Sequence, residues 1–209
     1  MKISVIIPTY NRVDALDIVL QSLETQTQNN FEIIIADDGS KKNTAEFIDA
    51  FKKKSIHSIK HVWQEDTGFR LARIRNLAIK EAIGDYLIFL DGDCAVQPDF
   101  IEKHEKLSEP YFMVTGSRIL LEQKITTELC QSRKWSFEKF KTQSLKLFTE
   151  QQINKFLPLF IKLPDHRFRK YSKFVWQRIK GCNMACWKAD ALAIGGFDEA
   201  LVGWGHEDA

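Results

Sequence analysis

The chain of 209 residues contains no apolar run long enough to span a bilayer, which takes about 20 residues. Its longest apolar stretches, Val5–Ile7 and Tyr86–Leu90, have the length of strands. The buried pattern starts at Ile3, with no charged leader and apolar core before it, so no signal peptide is expected. These absences predict a cytoplasmic protein, either free or held peripherally at the inner face of the cell membrane.

Cysteine is scarce and shows no metal-binding pattern. The four cysteines are Cys94, Cys130, Cys182 and Cys186, and no two of them form a CxxC pair. Reduced thiols are therefore expected. With 44% hydrophobic and 28% charged residues, the composition also excludes a disordered chain and a miniprotein held together by disulfides. What remains is a globular domain with enough chain for a sizeable core.

The net charge of +2 hides an uneven distribution. Between Arg133 and Lys180, thirteen Lys or Arg residues stand against three acidic residues, whereas the rest of the chain is acidic. Ten aromatic residues and two prolines, Pro158 and Pro164, also fall in this segment. Three interpretations remain open: a nucleic-acid-binding surface, a contact with an anionic membrane, or a helical cover whose aromatic residues are core. The helical spacing of the aromatics favours a cover that also contacts a membrane, and no nucleic acid is expected.

The first hundred residues alternate between strand and helix patterns. Strands buried on both faces are predicted at Ile3–Pro8, Phe31–Ala36, Ile59–Gln64 and Tyr86–Leu90. Apolar residues at helical spacing between them predict three helices, and later helices are predicted at Pro98–Leu107 and Lys188–Ile194. Tyr111–Leu121 is typical of a strand pair or an edge strand. The alternation predicts an α/β fold with a mostly parallel sheet flanked by helices.

Polar clusters follow three of these strands, at the edge where an open parallel sheet binds its ligands. Thr9 to Arg12 follow the first strand, Asp37 to Ser40 the second, and Asp91-Gly92-Asp93 the fourth. Carboxylates gathered at one edge repel each other unless a cation lies between them, and oxygen ligands suit Mg²⁺ or Mn²⁺. Asp and Gly are also favoured in turns, so a solvated turn remains the alternative, above all for Asp37 to Ser40.

A helix rich in arginine begins near Gly68 and carries Arg70, Arg73 and Arg75. A guanidinium pairs well with phosphate oxygens, and the helix N-terminus adds a partial positive charge. Surface solubility is the simpler explanation for Arg73. Arg70 and Arg75 fall on different sides of the helix, so at least one of them is expected to be structural.

Together these motifs resemble the family 2 glycosyltransferases of the GT-A fold. The resemblance is carried, in order, by Val5–Arg12, Asp37–Ser40, Ala72–Asn76 and Asp91–Asp93. It implies a Rossmann-like nucleotide-diphospho-sugar transferase fold, with residues 1–107 as the nucleotide-sugar-binding half. The residues that it implies for nucleotide-sugar binding are Pro8, Thr9, Tyr10, Arg12, Asp38, Arg70, Arg75, Asp91 and Gly92. It further implies that Asp93, together with Asp91, binds a divalent cation, Mn²⁺ or Mg²⁺.

Residues 181–209 resemble the galactosyltransferase-type segment of β-1,4-galactosyltransferases and of bacterial capsule or chondroitin-type polymerases. The strings that carry this likeness are Gly181–Trp187, Gly195–Glu199 and Gly203–Asp208. It implies that Asp208 is the catalytic base, that Glu207 contacts an acceptor hydroxyl and that Trp204 stacks on the acceptor sugar. A core tryptophan in a tight loop is the alternative for Trp204. The enzymes it resembles continue with a histidine metal ligand, so a truncated form is expected, with His206 as a candidate substitute.

The sequence thus predicts a single domain over residues 1–209, with a basic aromatic helical insert at 133–180 and an acceptor-side segment at 181–209. The resemblance implies an inverting, metal-dependent transfer of a hexose or N-acetylhexosamine, of the galactose type, from a UDP-sugar. The acceptor is expected to be a hydroxyl of a saccharide or lipid-linked molecule in polysaccharide synthesis. Two alternatives remain: a nucleotidyltransferase of similar fold, although no Gly-rich loop follows the first strand, and a nucleic-acid-binding module based on the insert.

Overall fold

Six strands form a sheet in the order β3-β2-β1-β4-β6-β5. The computed structural model describes residues 1–166, 169–171 and 179–202. The strands are β1 (Ile3–Thr9), β2 (Phe31–Asp37), β3 (Ser58–Trp63), β4 (Tyr86–Leu90), β5 (Val114–Thr115) and β6 (Asn183–Trp187). β1 is parallel to β2 and β4, and β2 is parallel to β3, whereas β6 is antiparallel to β4 and β5. The predicted α/β fold with a mostly parallel sheet is confirmed.

Helices cover both faces of this sheet. On one face pack α1 (Val13–Leu23), α2 (Lys42–Lys52) and α4 (Phe100–Leu107), and on the other pack α3 (Leu71–Glu81) and α7 (Lys188–Ala193). Successive residues of a strand point to opposite faces, so Val5 and Ile7 join the α1 side of the core and Ile6 joins the α3 side. Covering both faces explains why the central strands are continuous apolar runs.

The prediction that β3 is buried on both faces is wrong. Residues of β3 are partly or fully exposed, and Trp63 at its end is 52% exposed. Within the part of the chain that the structure describes, β3 lies at the edge of the sheet and pairs with β2 alone. It carries Lys60, whose ammonium donates to the carbonyl of Glu81 at 2.6 Å. An edge strand has less of its surface covered, and a charged side chain there also blocks pairing with another chain.

The region after α4 is less regular than predicted. Of the two alternatives for Tyr111–Leu121, the edge strand is found and the strand pair is not: β5 lies at the edge of the sheet and spans two residues, and Leu121 makes an isolated bridge to Ile153. Tyr111 has a positive φ of 67° and is 91% exposed, which is incompatible with a continuous strand there. A helix that was not predicted, α5 (Gln123–Ser132), follows instead.

The described part of the basic segment 133–180 contains α6 (Phe137–Thr149) and one turn of 3₁₀ helix at Leu157–Leu159. Ser136 caps α6 by accepting a hydrogen bond from the amide of Lys139. Pro158 lies in the 3₁₀ turn, where its missing amide hydrogen prevents a regular α-helix from continuing. In the described ranges, none of the helices has the length and apolar character needed to cross a membrane.

A buried polar junction joins α4, β6 and the end of β5. His104 on α4 is 4% exposed, and its Nε2 lies 2.9 Å from Oδ1 of Asn183. The amide of Gly116 donates to the carbonyl oxygen of Asn183 at 2.8 Å. A Cβ on Gly116 would lie 2.0 Å from Nδ2 of Asn183, so only glycine permits this approach. The junction therefore sets the position of the residues that follow Gly116.

Acidification should weaken the fold through His104. Burial lowers the pKa of His104 from 6.5 to about 4, so the unfolded chain binds a proton that the folded chain excludes. Stability should therefore fall as pH drops below 6.5 and continue to fall to about 4, by about 3 kcal/mol in total. Chemical denaturation at a series of pH values, for the wild type and for His104→Gln, measures this loss. The expected result is a flatter pH dependence in the variant, and equal slopes would contradict the assignment.

Candidate active site

A cleft of about 450 Å³ opens where β1 and β4 end. On one side of β1 the sheet continues with β2 and β3, and on the other side it continues with β4. The order of the strands therefore reverses between β1 and β4, and a crevice opens between their carboxyl ends. Ten residues were predicted to bind the nucleotide sugar and the cation. Nine of them line this cleft: Pro8, Thr9, Tyr10, Arg12, Asp38, Arg75, Asp91, Gly92 and Asp93.

Asp38 is the most enclosed carboxylate of the cleft, with 7% exposure. One of its oxygens accepts a hydrogen bond from the backbone amide of Arg70 at 2.9 Å, and the other accepts one from the side-chain amide of Gln64. Burial raises the pKa of Asp38, and these two hydrogen bonds oppose the rise. Arg70, the tenth predicted residue, thus contributes its backbone amide at the start of α3.

The turn after β1 is held against the loop after β2. Asn11 has a left-handed backbone with φ 52°, and its amide donates to Oγ of Ser40 at 2.8 Å. The amide of Lys41 donates in return to Oδ1 of Asn11 at 2.9 Å. The hydroxyl of Tyr10 donates to Asp66 at 2.9 Å, while about half of its side chain remains exposed. These contacts fix the wall of the cleft on which the Tyr10 ring lies.

Arg75 and Asp91 form an ion pair at the floor of the cleft. Nη2 of Arg75 lies 3.4 Å from Oδ1 of Asp91, and the Arg75 side chain is 1% exposed. The guanidinium also lies 5.2 Å from the ring centroid of Phe197. A guanidinium buried to this degree is stabilised by its carboxylate and by the aromatic face. At least one of Arg70 and Arg75 was expected to be structural, and this geometry gives Arg75 such a role.

Asp93 differs from Asp91 in being exposed at the mouth of the cleft. Its carboxylate accepts a hydrogen bond from the thiol of Cys94 at 3.5 Å. Gly92 between them packs against β1, because a Cβ there would lie 2.3 Å from the carbonyl oxygen of Pro8. Two carboxylates two residues apart, both lining one cleft, are the oxygen donors that a hard divalent cation takes. The donor set therefore fits a cation such as Mg²⁺ or Mn²⁺.

Two cysteines that the sequence shows far apart meet beside Asp91. One carboxylate oxygen of Asp91 and the sulfurs of Cys94 and Cys182 all lie within 4.8 Å of one another. Cys94 is brought back by a turn in which its amide donates to the carbonyl of Asp91, and Cys182 directly precedes β6. Both are free thiols, and the hydrogen bond to Cys182 together with burial raises the pKa of Cys94. Only the antiparallel pairing of β6 with β4 creates this neighbourhood.

A second cleft, of about 550 Å³, adjoins the first. Its walls include Ala15 and Ile18 on α1, Leu129 on α5 and Phe140 on α6. Four residues line both clefts: Arg12, Asp93, Arg118 and Cys182. Arg118 was not among the predicted site residues, because it follows a two-residue strand and belongs to no recognisable motif. Its sequence offered no signal beyond its positive charge.

The residues predicted for the acceptor side lie at the C-terminal end of the chain. Trp204, Glu207 and Asp208, together with the candidate ligand His206, fall outside the described residues. Their roles remain predictions from the resemblance.

The chain belongs to glycosyl transferase family 2, whose family model matches residues 4–174. A second model, described as the N-terminal domain of galactosyltransferase, matches residues 165–209. Fold, cleft and family together define a GT-A glycosyltransferase. This result confirms the predicted family and the predicted class of enzyme.

Among proteins of known function, the chain is similar to a chondroitin synthase of Pasteurella multocida, with 31% identity over 99% of this chain and 22% of that protein. A mannosyltransferase of Pyrobaculum calidifontis, solved with GDP-Man and Mn²⁺, has a similar fold: TM-score 0.63, 16% identity, 99% of this chain and 49% of that one. S. aureus TarS 1–349, solved with UDP, gives TM-score 0.56 and 19% identity over 100% of this chain and 53% of that one. The chain spans between 15% and 49% of the length of the first curated relatives it matches.

Replacing Gly92 by alanine should damage the cleft more than the fold as a whole. The new Cβ would meet the backbone of Pro8, so the loop that carries Asp91 and Asp93 has to move. We expect a loss of about 1–3 kcal/mol in the free energy of unfolding, and at least a tenfold weaker binding of UDP with Mn²⁺. Denaturant titration and calorimetry measure the two effects.

Gly195→Ala is the matched control for this variant. Gly195 has φ +83° and nothing within 4 Å of its added Cβ, so alanine there introduces backbone strain without a clash. It should lose stability and keep its UDP affinity. Equal UDP affinity in the wild type and Gly92→Ala would show that the Pro8 contact does not position the loop.

Proposed function

We propose that this glycosyltransferase moves a hexose or N-acetylhexosamine from a UDP-sugar to a hydroxyl of a saccharide or lipid-linked acceptor, with inversion at the anomeric carbon. The observation that carries the proposal is the meeting of Asp38, Arg75, Asp91 and Asp93 in one cleft at the ends of two parallel strands. That cleft lies where open α/β sheets bind nucleotides. The likeness to a chondroitin synthase supports a role in polysaccharide synthesis.

The nucleoside would bind at the end of the cleft that holds Asp38 and Thr9. Asp38 is held in place by Gln64 and by the amide of Arg70, and each carboxylate oxygen keeps capacity to accept a further hydrogen bond. Such an acceptor suits an N–H of a nucleobase or a ribose hydroxyl. The exposed ring of Tyr10 offers an apolar face beside it.

The diphosphate would bind towards Asp91 and Asp93. Both carboxylates are negative, as is the diphosphate, so the three groups require a divalent cation between them, and Mn²⁺ and Mg²⁺ both suit oxygen ligands. Asp93, exposed at the mouth, would hold that cation with Asp91. When bound, the cation would neutralise charge on the departing nucleotide. Arg75 would keep Asp91 in position through their ion pair.

The acceptor side of the proposal rests on the resemblance of the C-terminal segment. Asp208 would take the proton of the acceptor hydroxyl as its oxygen bonds to the anomeric carbon, while the bond from that carbon to the diphosphate breaks and UDP departs with the electron pair. Glu207 would contact an acceptor hydroxyl and Trp204 would stack on the acceptor sugar. The same segment favours galactose or N-acetylgalactosamine as the transferred sugar.

Asp93→Ala tests the cation assignment, with Asp49→Ala on the exposed face of α2 as the matched control. UDP with Mn²⁺ should raise the melting temperature of the wild type and of Asp49→Ala, and should have little effect on Asp93→Ala. UDP-sugar turnover should fall at least 100-fold in Asp93→Ala, because the cation that would neutralise the leaving group loses an oxygen ligand. Unchanged turnover in Asp93→Ala would contradict the assignment of the cation to Asp93.

Asp208→Asn should keep UDP binding and lose transfer.

The basic segment 133–180 is proposed to contact an anionic membrane surface beside the acceptor. Its described residues include exposed Leu157, Phe160, Ile161 and Leu163, with Lys162 among them, whose ammonium pairs with Asp99 at 2.6 Å. Apolar side chains beside cations bind at the interface of an anionic bilayer, where each basic residue contributes about 1 kcal/mol.

Co-sedimentation with vesicles tests this contact. Wild-type protein should sediment with vesicles that contain phosphatidylglycerol and stay in solution with pure phosphatidylcholine, and 0.5 M salt should release it, because the attraction is largely screened within about 10 Å at 0.1 M salt. Phe160→Ser with Ile161→Ser should reduce sedimentation several-fold. Phe69→Ser, an exposed aromatic at the donor cleft, is the control and should sediment like the wild type. Equal recovery with both kinds of vesicle would contradict a contact that depends on anionic lipid.

A further inference from the structure

We propose that Arg118 binds the diphosphate of the donor nucleotide beside Asp91 and Asp93, and so shares the charge of the leaving group with the cation. The inference deepens the proposed function and rests on it. Its starting point is a position: Arg118 is one of the four residues that line both clefts. Arg118 therefore lies at the wall that separates the nucleotide cleft from the second cleft.

Arg118 differs from Arg12 in the charges around its guanidinium. Among the residues that the structure describes, no carboxylate oxygen lies within 4.0 Å of its guanidinium nitrogens, whereas Arg12 on the same wall is paired with Asp14 at 3.0 Å. The near neighbours of Arg118 are the thiols of Cys182 and Cys94, and the Asp91 carboxylate acts on it from further away. Sulfur is a weak acceptor, so the guanidinium keeps strong donors for an anion. The ligand proposed for this cleft brings such an anion.

The backbone holds Arg118 at this place. Gly116, two residues earlier, is hydrogen-bonded to Asn183 at the start of β6, and its missing side chain allows that close contact. Asn183 is held in turn by the buried His104. Cys182, beside Arg118, is the residue directly before Asn183, and its carbonyl accepts from the amide of Asp91 at 3.4 Å. The junction at Asn183 therefore sets the positions of both Asp91 and Arg118 in the cleft.

The chemistry of the step gives this arrangement a use. As the bond between the anomeric carbon and the diphosphate breaks, the electron pair stays with the phosphate oxygen, and negative charge grows there. A planar guanidinium binds phosphate oxygens with two parallel hydrogen bonds, which a lysine ammonium does not reproduce. Arg118 would stabilise the charge where it develops. A second source of the same chemistry is an anionic group on the acceptor, which would reach Arg118 from the second cleft.

Calorimetry with UDP and with uridine separates these cases, using the wild type, Arg118→Ala, Arg118→Lys and the control Arg73→Ala. Arg73 is exposed on α3 and lines neither cleft. In Arg118→Ala the Kd of UDP should rise about 10- to 100-fold, as expected for one lost charge-assisted interaction, and the Kd of uridine should change less than twofold. Arg118→Lys should recover part of the UDP affinity. Arg73→Ala should match the wild type with both ligands.

Three results would overturn the assignment of Arg118. Unchanged UDP affinity in Arg118→Ala with a raised KM for the acceptor would place the anion on the acceptor. An equal loss for UDP and uridine would indicate a deformed cleft, which melting temperatures of the variants check independently. Unchanged values throughout would leave Arg118 without a ligand. Failure of the wild type to bind either UDP or uridine would instead sink the proposed function, so the two failures are distinguishable.

Discussion

The parallel pairing of β1 with β4 is the constraint on which the rest of the site depends. It places the end of β1, with Thr9, beside the end of β4, with Asp91, although more than eighty residues separate them in the chain. Gly92 then packs on the carbonyl of Pro8 without an intervening side chain. Both strands are buried at almost every position, so helices packed on the two faces of the sheet hold the pair in place.

The cleft balances its charges before any ligand arrives. Arg75 is buried against Asp91, and Asp38 is satisfied by Gln64 and by the amide of Arg70, so the enclosed charges have partners. Asp93, by contrast, is exposed, and Arg118 is exposed and has no carboxylate partner among the described residues. The groups at the mouth are therefore the ones whose electrostatic interactions a charged ligand would complete. This division between a paired floor and an open rim is what a site for a diphosphate and a cation needs.

Much of the fold could be predicted because its signals are local. The apolar runs of β1, β2 and β4 and the helical spacing of Leu16, Val19 and Leu20 are visible in the sequence, and the structure agrees with them. The prediction that β3 is buried was wrong, because the burial of a strand depends on how many neighbouring strands and helices cover it. Helix α5 was not predicted, and none of its residues is buried.

The candidate site divides in the same way. Pro8 to Arg12, Asp38 and Asp91 to Asp93 lie within a few residues of predicted strand ends, so a sheet of the expected order gathers them without further information. The sequence by itself determined the parallel core, the glycosyltransferase family and these strand-end groups, since each depends on neighbours along the chain. Only the tertiary structure decided that Arg118, Cys94 and Cys182 meet beside Asp91, because that meeting requires β6 to insert antiparallel between β4 and β5. Pairing between strands almost a hundred residues apart depends on packing of the whole sheet, which no local pattern encodes.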